Sequence, residues 1–188
     1  MLVADLGAPA DEALDRLLGA GAAQRLRRAL VARARRWAAA AAPDRAWEAT
    51  SFDAARAALE AHGHQGPVIL AAPDVPGLDQ QLVRDVLDDI VDAVPVTLGA
   101  SHDGSPYVIG LGAVEEEVFG IAAREHHRDG LFAALVARGG PLGMLRSERR
   151  LSSAADASAL AIDPLTPDDL ARELAPLARR LRAGRGAA

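Results

Sequence analysis

The stretch PVILAAPDVPGL, residues 67–78, decides the fold. Its first half, residues 67–72, is an apolar run, which is typical of a parallel strand that is covered on both faces. Its second half contains Pro73 and Pro76, which end the strand and stiffen the backbone around one carboxylate, Asp74. The pattern therefore predicts a central strand followed by a rigid loop.

Strand and helix patterns alternate along the rest of the chain. Such alternation is typical of a sheet with helices on its faces, so we predict an α/β fold with three α/β/α layers and a doubly wound, mainly parallel sheet. The predicted strands cover residues 1–6, 47–50, 67–72, 94–100, 107–111 and 142–145. The predicted helices cover residues 11–42 with an interruption at 19–21, 52–62 capped by Ser51, 79–91, 115–120, 130–137, 154–161 and 167–181 capped by Thr166.

Length and composition predict one domain over residues 1–183 and a frayed tail over 184–188. A chain of 188 residues is long enough to bury one core. Half of its residues are hydrophobic but only 3% are aromatic, so Ala, Leu and Val must fill the interior. Aromatic stacking surfaces are therefore scarce.

Charge and cysteine content exclude several classes of protein. The absence of cysteine rules out disulfides, thiolate nucleophiles and Cys-ligated zinc. A net charge of −5 argues against a nucleic-acid partner, and the six arginines between residues 25 and 36 are read as a solvated helix. The sequence has no apolar stretch long enough for a membrane span and no leader pattern, so we expect a cytoplasmic protein.

Asp74 is the first candidate for chemistry. In doubly wound sheets ligands bind beyond the carboxyl ends of the strands, and Asp74 follows the strongest strand. A carboxylate there is suited to hold a divalent cation that bridges phosphate oxygens. The alternative is that Asp74 caps the helix beginning at Gln80 or folds the turn.

The second candidate is the stretch SHDGSPY, residues 101–107. It places an acid and a histidine in a tight turn between two apolar strands. The alternative is a turn alone with a solvated His102, because Asp-Gly is a common turn pair. Contiguous Ser, His and Asp cannot form a catalytic triad.

Together these segments resemble one family. The matching segments are residues 70–78, the amphipathic helix after them, 96–100 and 103–111. They resemble the bacterial glycosyltransferase-like proteins called radical-SAM/selenodomain-associated transferases. That family has the GT-A nucleotide-diphospho-sugar transferase fold, as do phospholactate guanylyltransferase and the molybdenum-cofactor nucleotidyltransferases.

The resemblance implies a metal-bound nucleotide. Asp74 matches the family's Asp that ligates Mg or Mn, and it is implied to be catalytic together with Asp103. The first loop departs from the family, because only Arg16 remains of its phosphate-binding cations and Asp15 adds repulsion. The nucleotide-binding residues implied are Gly7, Ala8, Pro9, Arg16, Pro73 and Asp74.

The acceptor side is implied by the turn after the fourth predicted strand. Asp103, Gly104 and Tyr107 match the family's Asp-Gly-Gly-Tyr-Tyr turn. Ser105 and Pro106 replace its second Gly and first Tyr, which reduces the freedom of the backbone.

The downstream acidic motif is lost. Residues 150–153 read Arg-Leu-Ser-Ser where relatives have Asp-Val-Asp-Thr, and Asp156 matches a later Asp. Ser152 thus stands where the acid for a second metal contact is expected, and one carboxylate rarely holds magnesium without help from substrate phosphates.

These features lead to two functional hypotheses of different classes. One is a metal-dependent nucleotidyl- or glycosyltransferase that binds a nucleotide or sugar nucleotide. The other is a non-catalytic binding or scaffolding module with the same fold. A homodimer formed through an apolar face of the Ala- and Leu-rich helices is a further hypothesis, and the sequence does not decide whether the protein is an enzyme.

Overall fold

The apolar run after Gly66 forms strand β3 (Val68–Ala71), and all four of its side chains are buried. The structure is a computed structural model that describes residues 2–4, 12–102, 104–124 and 129–185. In these ranges the other strands are β1 (Leu2–Ala4), β2 (Trp47–Ala49), β4 (Val96–Ala100), β5 (Pro106–Leu111) and β6 (Leu142–Met144). The helices are α1 (Glu12–Leu18), α2 (Ala20–Ala41), α3 (Phe52–Ala61), α4 (Gln80–Val91), α5 (Glu116–Arg124), α6 (Asp129–Arg138), α7 (Ala154–Ile162) and α8 (Asp168–Arg185).

The described strands form one six-stranded mixed sheet in the order β2-β1-β3-β5-β4-β6. β1 pairs in parallel with β2 and β3, and β4 pairs in parallel with β6. β5 is antiparallel to both of its neighbours, β3 and β4. The short turn between β4 and β5 explains this exception, because strands joined by a tight turn must pair antiparallel. Five strands therefore share one direction, as a mainly parallel sheet requires.

Strand direction brings three connections to the same edge of the sheet. β3, β4 and β6 all end there, and the antiparallel β5 begins there. The residues that follow the three strands are 72–79, 101–105 and 145–153. This carboxyl edge is the place where the sequence predicted ligand binding.

Two buried clusters of side chains stabilise the fold. The larger cluster covers the sheet and includes Leu70, Ile109 and Leu111, each at most 1% exposed. The second cluster joins α1, α2, α7 and α8, and one of its members, Leu151, lies between β6 and α7. Each buried leucine contributes about 1.5–3 kcal/mol relative to an exposed one. Leu151 thus fixes the segment after β6 between the two clusters.

The helix ends confirm one predicted cap and correct another. Ser51 Oγ accepts the amide hydrogen of Ala54 at 3.1 Å, which caps α3 as predicted. The prediction for Thr166 is wrong, since its hydroxyl donates to the carbonyl of Leu160 at 2.7 Å. The carbonyl of Pro167 accepts the first amide hydrogens of α8, so the helix begins one residue later than a Thr166 cap would allow.

The arginine-rich helix α2 is solvated on its outer face, as the sequence predicted. Its buried face carries Ala23, Leu26, Leu30 and Trp37. Neither α2 nor any other helix in the described ranges is both long and apolar enough to cross a membrane. Several of its arginines form exposed or partly exposed ion pairs, each worth about 0–1 kcal/mol: Arg25 with Glu173, Arg27 with Asp15, Arg35 with Glu48 and Arg36 with Asp169.

We predict that Gly110→Ala destabilises the protein by about 1–3 kcal/mol, because the added methyl group would overlap Cγ1 of Val86 where α4 packs on β5. Urea unfolding gives the change in the free energy of unfolding. Gly112→Ala is the matched control, since nothing lies within 4 Å of its added methyl group. Equal losses in the two variants would contradict the close packing of α4 on β5.

Candidate functional site

Asp74 forms a buried ion pair with Arg150 at the carboxyl edge of the sheet. Nε of Arg150 lies 3.0 Å from both carboxylate oxygens, and Nη2 lies 3.0 Å from Oδ2. The side chain of Arg150 is 4% exposed and that of Asp74 is 17% exposed. Nη1 of Arg150 also donates to the carbonyl of Pro106 at 3.2 Å, which links the pair to the start of β5.

The backbone holds this pair in register. The amide of Leu151 donates to the carbonyl of Asp74 at 2.7 Å, and the side chain of Leu151 is buried in the second cluster. The segment of residues 145–151 therefore crosses the ends of β3 and β5 with Arg150 facing the sheet. A charge buried there requires a partner of opposite sign, which Asp74 supplies.

Two side chains of α2 hydrogen-bond to the loop of residues 73–79. Nε of Arg33 donates to the carbonyl of Pro76 at 2.8 Å, and the indole nitrogen of Trp37 donates to the carbonyl of Asp79 at 2.6 Å. Val75 is buried beneath the loop. These contacts fix the direction in which the loop presents its carboxylates.

A second ionic cluster surrounds Arg146 beside this loop. Its guanidinium contacts Glu148 at 2.6 Å, Asp79 at 2.8 Å and the carbonyl of Gly77 at 3.2 Å. Partial burial disfavours the charge of Arg146, but Glu148 and Asp79 outweigh it and raise the pKa of the guanidinium. Arg146 thus stays charged and ties the 145–151 segment to residues 77–79.

Asp79, not Asp74, caps helix α4. Its Oδ1 accepts the amide hydrogens of Gln81 and Leu82, each at 3.0 Å. Partial burial alone would raise the pKa of Asp79, but the Leu82 amide and the guanidinium of Arg146 lower it below its ordinary value. The alternative that Asp74 caps this helix is therefore wrong.

Tyr107 lies inside the protein and supports the 145–151 segment. Its side chain is 0% exposed, and its hydroxyl donates to the carbonyl of Arg146 at 2.6 Å. Burial, assisted by the charge of Glu148, raises its pKa. In this conformation the ring has no surface through which to touch an acceptor, so its position does not support the acceptor role that the resemblance implies.

Gly104 lies in the connection between β4 and β5. Gly104 adopts φ 84°, a left-handed conformation that favours glycine, and its amide donates to the carbonyl of Ser101 at 2.8 Å. The amide of His102 donates to the carbonyl of Glu148 at 3.2 Å, and the His102 side chain is exposed. The turn is thus joined to the 145–151 segment while His102 faces outward.

Asp156 serves a helix end. It forms a capping box with Ser153 at the start of α7, in which Ser153 Oγ and Asp156 Oδ2 lie 2.6 Å apart. Arg149 also contacts Asp156 at 3.2 Å, and Ser152 Oγ donates to it at 3.3 Å. The acid that matched a later family Asp is thereby engaged in local contacts.

The side chains around Asp74 do not fit a divalent metal ion. Both of its oxygens accept from the guanidinium of Arg150, and a second cation there would meet direct repulsion. Ser152, at the expected place of a second acid, offers a hydroxyl. Within the described part of the chain, no group of three or more acidic or histidine side chains is arranged to hold a metal ion.

The remaining predicted site residues lie on α1 or outside the described residues. Gly7, Ala8, Pro9 and Asp103 lie outside the described residues. Arg16 is on the exposed side of α1, where its Nε donates to the carbonyl of Glu12 at 3.3 Å. Asp74 is in contact with a different cation, Arg150.

A cavity of about 390 Å³ opens beside the loop of residues 73–79. We call it the edge cavity. Its lining includes Pro76, Gly77, Asp79, His102, Glu148, Arg149, residues of the α7–α8 loop and Arg33 of α2. It presents two guanidinium groups, one imidazole and three carboxylates beside apolar surface. Such a lining offers donors for phosphate oxygens and acceptors for hydroxyl groups.

A second cavity of about 540 Å³ lies at the opposite edge, before β3. The ring of Trp47 stacks on His62 there with 4.8 Å between centroids, and His64 contacts Trp47 edge-on at 5.8 Å. Histidines therefore lie at both edges of the sheet, which provides a matched control for experiments on the edge cavity.

Sequence reasoning missed Arg146, Glu148 and Arg150 as members of the site. Their signal is the alternation of charge at positions 146, 148 and 150, since residues two apart on an extended segment share a face. A second signal is Arg150 itself, which stands where the family that the sequence resembles has an acid, because such a reversal of charge predicts a partner of opposite sign.

The fold is similar to that of a solved structure. The crystal structure described as "putative nucleotide-diphospho-sugar transferase from Desulfovibrio desulfuricans G20" superposes with a TM-score of 0.70 over 95% of each chain. The two sequences are 18% identical, so the likeness concerns the fold alone. No protein-family model matches this sequence, and no curated protein matches it.

We predict that Asp74→Ala and Arg150→Ala each lower the free energy of unfolding by about 3–5 kcal/mol, because each leaves a buried charge without its partner. The double variant is expected to lose clearly less than the sum of the two. Urea unfolding of the four proteins measures the coupling.

The exposed pair of Arg56 and Glu60, 3.7 Å apart, is the control for this cycle, with an expected coupling of about 0.3–0.5 kcal/mol. Additive losses at Asp74 and Arg150 would contradict a direct interaction between them.

We predict that part of the acid sensitivity of folding comes from Asp79. Its pKa is lowered in the folded state, so its contribution is present above the ordinary carboxyl pKa of about 4 and is lost as the pH falls through the folded-state value. Asn also caps helices well, so Asp79→Asn removes mainly the charge. Urea unfolding at several pH values should show wild type and variant converging below about pH 4, and a constant difference would contradict the assignment.

Proposed function

We propose that this protein binds a nucleotide or sugar nucleotide in the edge cavity, as a member of the transferase-like fold described above. The observation that carries the proposal is the position of this cavity, beyond the carboxyl ends of β3 and β4, where α/β sheets bind their ligands. Its volume of about 390 Å³ lies within the range of small-molecule sites.

The charges of the cavity suit the two ends of such a ligand. The side chains of Arg33 and Arg149 are 28% and 40% exposed. They therefore retain N–H donors for phosphate oxygens while they form ion pairs with Asp169 and Asp156, respectively. Asp163 and Asp79 on the other walls are acceptors for sugar hydroxyl groups. His102 is exposed at the rim and adds a further donor or acceptor.

The ion pair at Asp74 favours a protein that binds the ligand without catalysing a reaction. The metal-dependent transferase implied by the resemblance needs a carboxylate that accepts a divalent cation, and Arg150 engages Asp74 instead. Likeness to a structure described as a transferase favours the catalytic form. Turnover of a sugar nucleotide to its nucleotide, followed by chromatography, separates the two forms.

We predict that calorimetry with a panel of nucleoside diphosphates and sugar nucleotides finds at least one ligand with a dissociation constant of about 1 μM to 1 mM. His102→Ala and Arg149→Ala are expected to weaken it about tenfold each, the loss of one charge-assisted or polar contact. His62→Ala, an exposed histidine at the opposite edge, should leave the affinity unchanged.

Absence of heat for the whole panel, with and without Mg or Mn, would overturn the proposal and leave a scaffolding role. Weakening by His62→Ala but not by His102→Ala would place the ligand at the other edge of the sheet.

A further inference from the structure

The guanidinium of Arg150 lies among oxygen atoms that resemble the ligand set of a hard cation. Oδ1 and Oδ2 of Asp74 and the carbonyl oxygen of Pro106 surround it at 3.0 to 3.2 Å. Carboxylate and carbonyl oxygens are the ligands that Mg²⁺ and Mn²⁺ take in proteins. The protein therefore places its own cation against these three oxygens.

Burial makes this internal cation hard to displace. The Arg150 side chain is 4% exposed, and it is fixed by the buried Leu151 next to it. A divalent ion would have to approach a carboxylate whose two oxygens already accept hydrogen bonds, against the positive charge of the guanidinium. In the present sequence, metal binding at Asp74 is opposed by the hydrogen bonds that its oxygens already accept and by the positive charge of Arg150.

We propose that Arg150 acts as a built-in substitute for a divalent cation, so that Asp74 binds no metal in the present sequence, and that an acid at position 150 converts the same oxygens into a metal site. Both parts concern the chain alone, since the residues that line the edge cavity include neither Asp74 nor Arg150. In Arg150→Asp, the new carboxylate joins Oδ1, Oδ2 and the Pro106 carbonyl and provides the second acid that a divalent cation needs.

The test measures Mn²⁺ binding without any nucleotide, from the loss of the electron paramagnetic resonance signal of free Mn²⁺. Arg150→Asp is expected to bind one Mn²⁺ at least tenfold more tightly than wild type. Asp74→Asn in the Arg150→Asp background should abolish the gain. Arg28→Asp controls for net charge, because this arginine of α2 is exposed and has no acid at helical spacing.

Each outcome decides the matter. A folded Arg150→Asp variant without gain, or with the same gain as Arg28→Asp, would overturn the latent metal site. If wild type binds Mn²⁺ with a submillimolar dissociation constant and Asp74→Asn removes this binding, Arg150 does not substitute for a metal. This measurement uses wild type and Asp74→Asn, so it remains decisive even if Arg150→Asp fails to fold. Failure to bind nucleotides would be seen only by calorimetry, so it is distinguishable from failure here.

Discussion

The contact between the carboxylate of Asp74 and the guanidinium of Arg150 joins the parts of the molecule that its sequence keeps far apart. It connects the loop after β3 with the segment after β6, and through the Pro106 carbonyl it reaches the start of β5. A buried charge is tolerated only with a close partner, so the path of residues 145–151 depends on this pair. Leu151, the next residue, then enters the second cluster and links the sheet to α7 and α8.

The same constraint shapes the chemistry available at the carboxyl edge. With Asp74 neutralised from within, the charged groups that face the edge cavity are those of Arg33, Asp79 and Arg149, together with acids of the neighbouring loops. Arg33 contacts the Pro76 carbonyl, Asp79 contacts Arg146, and Arg149 contacts Asp156, so these side chains are positioned before any ligand arrives. The carboxyl edge thus presents hydrogen-bonding groups, while the carboxylate of Asp74 is engaged by Arg150.

Local patterns predicted much of this architecture. The apolar run at β3, the cap at Ser51 and the turn at Gly104 were recognisable because each depends on neighbouring residues only. The cap at Thr166 was predicted wrongly, since a carbonyl six residues earlier competes for its hydroxyl. The predicted interaction of Arg16 with phosphate stays a prediction, and Tyr107, predicted to face an acceptor, is buried by the 145–151 segment.

The sequence by itself determined the strand and helix pattern, the stiff loop around Asp74 and the loss of a second acid at Ser152. Only the tertiary structure decided what Asp74 contacts. Arg150 follows Asp74 by 76 residues, and no periodicity or turn rule relates positions so distant along the chain. Their meeting depends on the order of the strands and on Leu151 packing between helices, both of which arise from the burial of many side chains at once.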